Sequence, residues 1–290
     1  MDVQTKFTFK LLKLVNAKKL ASKAILHPKR TKQFKYPRRL KKYQIDRFLV
    51  HNHHVITFCS INNTSEGHIV FLHGGAYTVG VNSGHWWLVE QILKQTACKI
   101  SFIQYPLAPE FNYKHAHAIL FEAYTELTGK HPADRFYLLG DSAGGGFCLA
   151  FAQRLRDNNF QKKPEKIALL SPWTDLSMSN EGIIEQEHKD LLLSAETLKK
   201  SAGWFADGTD LKSPLLSPLY GNMEDLNSIG IFVGTEEILL PDCRLLKTKL
   251  EASNTILFYK EYKDMQHDWI VFPIKERYVL LKDVLQYLHP

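Results

Sequence analysis

The chain has 290 residues, 44% of them hydrophobic, enough for a substantial core and too many for a disordered polymer. Its net charge of +7 is local: residues 1–48 hold 15 Lys/Arg against Asp2 and Asp46, while the other 242 hold 22 against 28 acids. That distribution argues against a nucleic-acid groove running across the body.

The N-terminal stretch "MDVQTKFTFKLLKLVNAKKL" is basic, lacks a continuous apolar core or small-residue cleavage site, and does not read as a signal peptide. A cytoplasmic location is the expectation. Phe7, Leu11, Leu14, Val15, Ala21, Ile25 and Leu26 are expected on one face of a helix over residues 5–26. Residues 27–42 read as an extended, proline-punctuated basic connector, so that residues 1–44 form a leader and 45–290 the body. In the body, 43–50 and 54–60 are expected to pair as strands, with a turn at "NTSEG" (63–67) before the strand 68–73. A helix over 84–97, a strand 99–105, a helix 115–128, a strand 135–140, a helix 143–157 and a strand 166–171 follow. The rhythm breaks over about 173–218, a polar insertion with helical pieces. It resumes with a strand at 229–234, a helix from Asp242, a strand 255–260 and a last helix near 273–288. Short apolar strands alternating with helices predict an α/β fold: a mostly parallel central sheet covered by helices on both faces. No apolar run approaches the ~18 residues a membrane helix needs.

Cys59, Cys98, Cys148 and Cys243 show neither disulfide-framework nor zinc spacing. "HNHH" at 51–54 has no carboxylate or cysteine cluster beside it and reads as a solvated strand end; no metal is expected. The glycines of "GDSAGGG" form no nucleotide-binding pattern, and no cofactor is expected.

The chemistry is carried by two small-residue stretches. Gly140-Asp141-Ser142-Ala143-Gly144 fits G-x-S-x-G between a strand and a helix, the setting in which the turn presents its serine as a nucleophile. "HGGAY" follows the strand ending at Leu72 and offers nearly bare backbone to a tetrahedral oxyanion. The expected oxyanion hole comprises Gly74, Gly75, Ala76 and Ala143, with Gly75, Ala76 and Ala143 as N–H donors and Gly74 shaping the turn. Asp141 is expected to serve the turn's hydrogen bonding. "HGGAY", "YPLAPE" (105–110) and "GDSAGG", in this order, resemble the hormone-sensitive-lipase-like branch of the α/β-hydrolases from about residue 45 to the end. The resemblance implies metal-free hydrolysis of carboxylic esters, and therefore a small-molecule ester as partner.

A serine needs a base, and the base an acid. Of the histidines after Ser142, His188 lies in the insertion and His289 is penultimate; His267 sits between the last strand and last helix, where the resemblance also puts the base. The acid is expected in "IFVGTEEILLPD", where the family pattern falls on Glu237, a glutamate in place of the family's aspartate; Asp242 is the second candidate, otherwise a helix cap. The insertion and leader are expected to build a cap, with Trp86, Trp173, Trp204 and Phe205 as candidate lining residues. The basic leader has an anionic surface as its alternative occupant. Short acyl chains are the expected substrates, which rests mostly on the resemblance. The same apparatus would serve an amidase or deacetylase, and a ligand-binding protein without turnover is the rival of another class.

Overall fold

The computed structural model describes residues 1–30, 35–61 and 65–290, so the turn expected at 63–67 and the connector at 27–42 lie partly outside the described residues. The leader forms α1 (Val3–Leu14) and α2 (Ala17–Leu26). The body follows as β1 (Gln44–Val50), β2 (His53–Cys59), β3 (Gly67–Leu72), α3 (Ser83–Gln95), β4 (Lys99–Ile103), α4 (Tyr113–Lys130), β5 (Arg135–Asp141), α5 (Ala143–Asp157) and β6 (Lys166–Leu170). The insertion carries α6 (Gly182–Lys189) and α7 (Ala195–Ala206), and the chain closes with β7 (Ser228–Gly234), α8 (Leu240–Glu251), β8 (Ile256–Tyr262) and α9 (Glu276–Leu288).

The sheet runs β1-β2-β4-β3-β5-β6-β7-β8, with β2 antiparallel to both its neighbours and every other pair parallel. Strands β3 and β7 are buried along their whole length, as expected where helices cover both faces. One core lies under α4, α5 and α8 around Phe147, Phe151 and Leu246; the other lies under α3 and α9 around Trp86, Val89 and Leu281. "HNHH" is the β1–β2 hairpin turn, where His51 and Asn52 take φ of 44° and 70°, as a two-residue hairpin loop demands.

The topology places the site. Strand order reverses beside β3, which is flanked by β4 on one side and β5 on the other, and Leu72 pairs in register with Gly140. Loops leaving the carboxyl ends of β3 and β5 therefore open side by side, at the switch point where open α/β sheets hold ligands.

The leader departs from expectation. The single helix over 5–26 breaks at Asn16, which adopts φ 49°, ψ 57° and accepts a hydrogen bond from the Lys19 N–H. Asparagine tolerates the left-handed region and caps well, so one residue ends α1 and starts α2. The two helices then part company. In α2, Lys18 donates to the Glu187 carbonyl (2.6 Å) and Ser22 accepts from Thr197 (2.9 Å), tying it to the insertion. In α1, Asp2 N–H and the Thr5 hydroxyl both donate to Glu276 at the start of α9. Consequently Phe7, Leu11, Leu14 and Val15, expected to face the pocket, point into solvent.

Candidate active site

Ser142 ends β5 and starts α5 with φ 51° and ψ −121°, a left-handed φ that a serine holds only under constraint. Its N–H is tied to Leu170 O (2.8 Å). The glycine two residues on is required by contact: a Cβ on Gly144 would stand 2.0 Å from Leu72 O, so only a bare α-carbon lets α5 start this close to β3. The serine hydroxyl is thereby aimed outward from the sheet's carboxyl edge.

His267 and Glu237 arrive from neighbouring strands. Ser142 Oγ lies 2.9 Å from His267 Nε2, and His267 Nδ1 lies 2.8 Å from Glu237 Oε2. The other Glu237 oxygen, Oε1, accepts from Ser171 Oγ (2.7 Å) and Gly234 N–H (2.6 Å). With donors on both oxygens, Glu237 acts as a carboxylate, and His267 carries its proton at Nδ1, leaving Nε2 to accept from the serine. Burial pushes Glu237 above the ordinary carboxylate value, opposed by its bonds to His267, Ser171 and Gly234. Burial would lower His267, but the hydrogen bond and charge of Glu237 outweigh it and hold the imidazole above its ordinary value. Ser171, which sequence reasoning did not single out, also accepts from Asp268 N–H (3.3 Å) and so links the Glu237 and His267 loops.

Asp242 does not cap α8. The residue before that helix is Leu239, and Asp242 sits within its first turn, accepting from Asn180 Nδ2 (2.9 Å). A helix led by Pro241 has little use for a side-chain cap there. Burial pushes the Asp242 carboxyl up to about 7.

The loop after β3 faces Ser142. Gly75, Ala76 and Tyr77 are consecutive residues with positive φ, which turns the backbone N–H groups away from their own chain. The N–H groups of Gly75, Ala76 and Ala143 find no acceptor among the described residues. Gly74 is different: its N–H donates to Asp141 Oδ2 (2.9 Å), so it offers no donor, and a Cβ there would stand 2.3 Å from that oxygen. His73, directly after β3, explains the orientation. Burial lowers it to about 4, and its Nδ1–H donates to Gly74 O (2.6 Å) while its ring stacks on Tyr105. Because a peptide is planar and trans, holding the Gly74 carbonyl one way aims the Gly75 N–H the other.

Behind Ser142 lies a second polar cluster. Asp141 Oδ2 also accepts from His85 Nε2 (3.0 Å), whose Nδ1 accepts from Asn82 N–H (3.0 Å). The remaining oxygens, Asp141 Oδ1 and Asp268 Oδ1, are buried without a conventional donor. The two side chains are hydrogen-bonded to each other: burial and the Asp141 charge push Asp268 well up, while Asp141, despite its burial, is held down by His85 and by the Asp268 hydrogen bond. Two carboxyls in contact, Asp141 buried and Asp268 half-buried, resist ionising together, and Asp268, the one pushed up, is the one that keeps its proton; they neighbour Ser142 and His267 in the chain. This pair has a stability signature. A carboxyl whose folded pKa is raised keeps its proton where the unfolded chain has lost it, so it destabilises the fold progressively as pH rises above 3.8. Asp268→Asn keeps a donor toward Asp141 without that ionisation. Melts from acid to neutral pH are expected to show the variant gaining on the wild type by about 2–4 °C for each kcal/mol relieved. An equal deficit at every pH would rule out the retained proton.

Among the described residues, two clusters have residue types able to ligate a cation: His85, Asp141 and Asp268, and His68, His131 and Asp134. In the first, His85 Nε2 carries the proton it gives Asp141. In the second, Lys99 Nζ lies 2.7 Å from both Asp134 oxygens, a cation already supplied by the chain. A cavity of about 430 Å³ is lined by Arg30, His73, Tyr105 and Glu110 but by none of Ser142, Glu237 and His267. Of the expected lining aromatics, Trp86 is buried in the core under α3 and Trp173 in the core under α5, whereas Phe205 stacks on Tyr77 with ring centroids 4.0 Å apart. Trp204 is partly exposed on α7.

Residues 69–271 match the model of a family described by its alpha/beta hydrolase fold. An esterase of Acinetobacter venetianus is 30% identical over 207 residues, covering 70% of this chain and 68% of that one. An acetyl-hydrolase of Streptomyces hygroscopicus is 31% identical over 202 residues, 69% of this chain and 67% of its own. Among solved structures, a hormone-sensitive lipase from a metagenome library superposes with a TM-score of 0.84 at 25% identity, covering 99% of this chain and 97% of that one.

Proposed function

The chain belongs to the α/β-hydrolase fold family, in its hormone-sensitive-lipase-like branch, and is a carboxylic-ester hydrolase; we propose that it cleaves short-chain esters through an acyl-enzyme on Ser142. The observation that carries this reading is the unbroken line of hydrogen bonds from Glu237 through His267 to Ser142, facing three unpaired N–H groups. His267 Nε2 takes the hydroxyl proton as Ser142 Oγ bonds to the acyl carbon. The carbonyl oxygen becomes an oxyanion and accepts from Gly75, Ala76 and Ala143, whose N–H groups are fixed beforehand and cost no reorganisation. Collapse of the intermediate breaks the ester C–O bond, and His267 returns its proton to the departing alcohol. The same base then draws a proton from water as it attacks the acyl carbon, and returns it to Ser142 Oγ as the acyl–Oγ bond breaks and the acid leaves. Glu237 holds the tautomer and stabilises the imidazolium in both halves.

The short-chain preference has two supports. One relative is named an acetyl-hydrolase. Beside the oxyanion loop, Tyr77 is packed by Phe205, Trp173 and Phe147, with centroid distances of 4.0, 5.8 and 6.2 Å, an aromatic wall that in this reading limits the length of the acyl chain. In this reading the insertion, with α2 bound to it, roofs the acyl pocket. It is strapped to the site by Asp190, which accepts from Ile238 N–H (2.9 Å), and by Gln266, which accepts from Leu191 N–H (2.7 Å).

A panel of p-nitrophenyl esters from acetate to laurate, with p-nitroacetanilide beside it, tests the proposal. The expected kcat/KM is highest among the shortest chains and falls by about tenfold or more by laurate. Faster cleavage of the anilide than of acetate would make the enzyme an amidase. Turnover of neither, with binding of an ester analogue, would make it a binding protein on this fold.

A further inference from the structure

We propose that α1 is a pre-formed interfacial helix that docks the enzyme on an anionic phospholipid surface. At 100° per residue, Val3, Phe7, Leu11 and Leu14 fall within an arc of about 80°. That arc is turned to solvent: Val3 is 80% exposed, Phe7 68% and Leu14 82%, with Met1, Leu11 and Val15 exposed alongside. Lys6, Lys10 and Lys13 fill the adjoining arc and are exposed. The opposite side, Thr5, Phe9 and Leu12, packs on the body. An amphipathic helix that buries its less apolar side has its larger apolar stripe left over, and four large hydrophobics in one exposed strip, with Met1 and Val15 exposed beyond its ends, call for a cover.

The charges say what the cover is. Lys6, Lys10, Lys13, Lys19 and Lys23 have no acidic partner among the described residues. Neither helix contains an acid, and Asp2, which caps α1, is engaged with the Gln4 N–H and with Lys275. A second copy of this chain meeting the same stripe would bring two cationic segments together with nothing to neutralise them. An anionic bilayer supplies both needs: acyl chains for the stripe and headgroups for the ammonium groups, which reach them on flexible apolar stems. The helix is also held ready. Asp2 N–H and Thr5 donate to Glu276, Gln4 Nε2 donates to Pro273 O (3.2 Å), and Phe9 packs in the core under α9, so docking does not have to order the segment. Pro273 and Glu276, which hold the inner side of α1, follow the His267 loop in the chain.

Flotation of the full chain with vesicles tests this. Binding to equal parts phosphatidylcholine and phosphatidylglycerol at low salt is expected, with far weaker binding to phosphatidylcholine alone or at high salt. Replacing Lys6, Lys10 and Lys13 by Gln is expected to weaken partitioning about a hundredfold. The triple change Phe7→Ser, Leu11→Ser, Leu14→Ser should weaken it at least as much. Both variants change only exposed side chains, so hydrolysis of soluble p-nitrophenyl acetate and the melting temperature should match the wild type, which separates this proposal from the assignment of the esterase itself. Failure of the intact chain to float with anionic vesicles at low salt overturns the proposal. So does binding that ignores both variants, or elution as a dimer that the serine variant dissociates.

Discussion

Ser142→Ala is expected to lower kcat for p-nitrophenyl acetate by about six decades, the loss seen when a serine nucleophile whose base and acid act with it as a unit is removed. The remainder would be what the N–H groups of Gly75, Ala76 and Ala143 and simple binding achieve with water as attacker. The fold should persist. Alanine tolerates the φ of 51° no worse than serine does, and the backbone bonds from Ser142 N–H to Leu170 O and from Gly146 N–H to Ser142 O need no side chain. A companion measurement removes ambiguity. A fluorophosphonate should add once per chain, Ser142 Oγ bonding to phosphorus as fluoride leaves and His267 takes the proton. Mass spectrometry that finds the adduct on another serine, or turnover that survives Ser142→Ala, would remove the nucleophile from the proposal.

Glu237→Gln carries the second largest effect, a drop of about two to four decades in kcat with little change in KM. The amide cannot accept at Oε2 with the same charge and presents an N–H where His267 Nδ1 needs an acceptor, so the imidazole is driven to the wrong tautomer. The pH profile adds an independent reading. His267 must be neutral to take the serine proton, and Glu237 holds its pKa above 6.5, so activity should be lost as pH falls through a value higher than that of a free histidine. In the glutamine variant the residual activity should keep its acid limb to lower pH, because the carboxylate that raised the imidazole is gone. Asp242→Asn serves as the control. Its side chain bonds Asn180 and touches neither His267 nor Ser142, so kcat should change little. If Asp242→Asn instead abolished turnover while Glu237→Gln was nearly silent, the acid would be the wrong residue.

Much of this molecule is legible in one dimension because its determinants are local. The run Phe136 to Leu139 followed by Gly140-Asp141-Ser142-Ala143-Gly144 encodes strand, strained turn and helix within a dozen residues, and the structure places β5 and α5 there. The bare backbone of "HGGAY" advertises donors in the same local way. The helix break was written locally too, in Asn16, but a periodic run of apolar residues on both sides of it outweighs one asparagine in a sequence pattern.

What tertiary structure alone decided are the facts that depend on which strands become neighbours. That Gly74 spends its N–H on Asp141 follows from β3 lying beside β5, 67 residues later in the chain. Nothing near "GTEEILLPD" reveals that Ser171, at the end of β6, holds Glu237 Oε1 in place. The facing of Asp141 and Asp268 joins two residues whose immediate neighbours were both read from the sequence, yet their contact exists only once the elbow and the base loop converge. The leader is the sharpest case. Periodicity fixes which side chains share a face of α1, and Phe7, Leu11 and Leu14 do share one. Which face turns inward is set by the partner surface, and here the Glu276 carboxylate and the core under α9 take Thr5 and Phe9, because hydrogen bonds and packing at one end of a short helix fix its rotation.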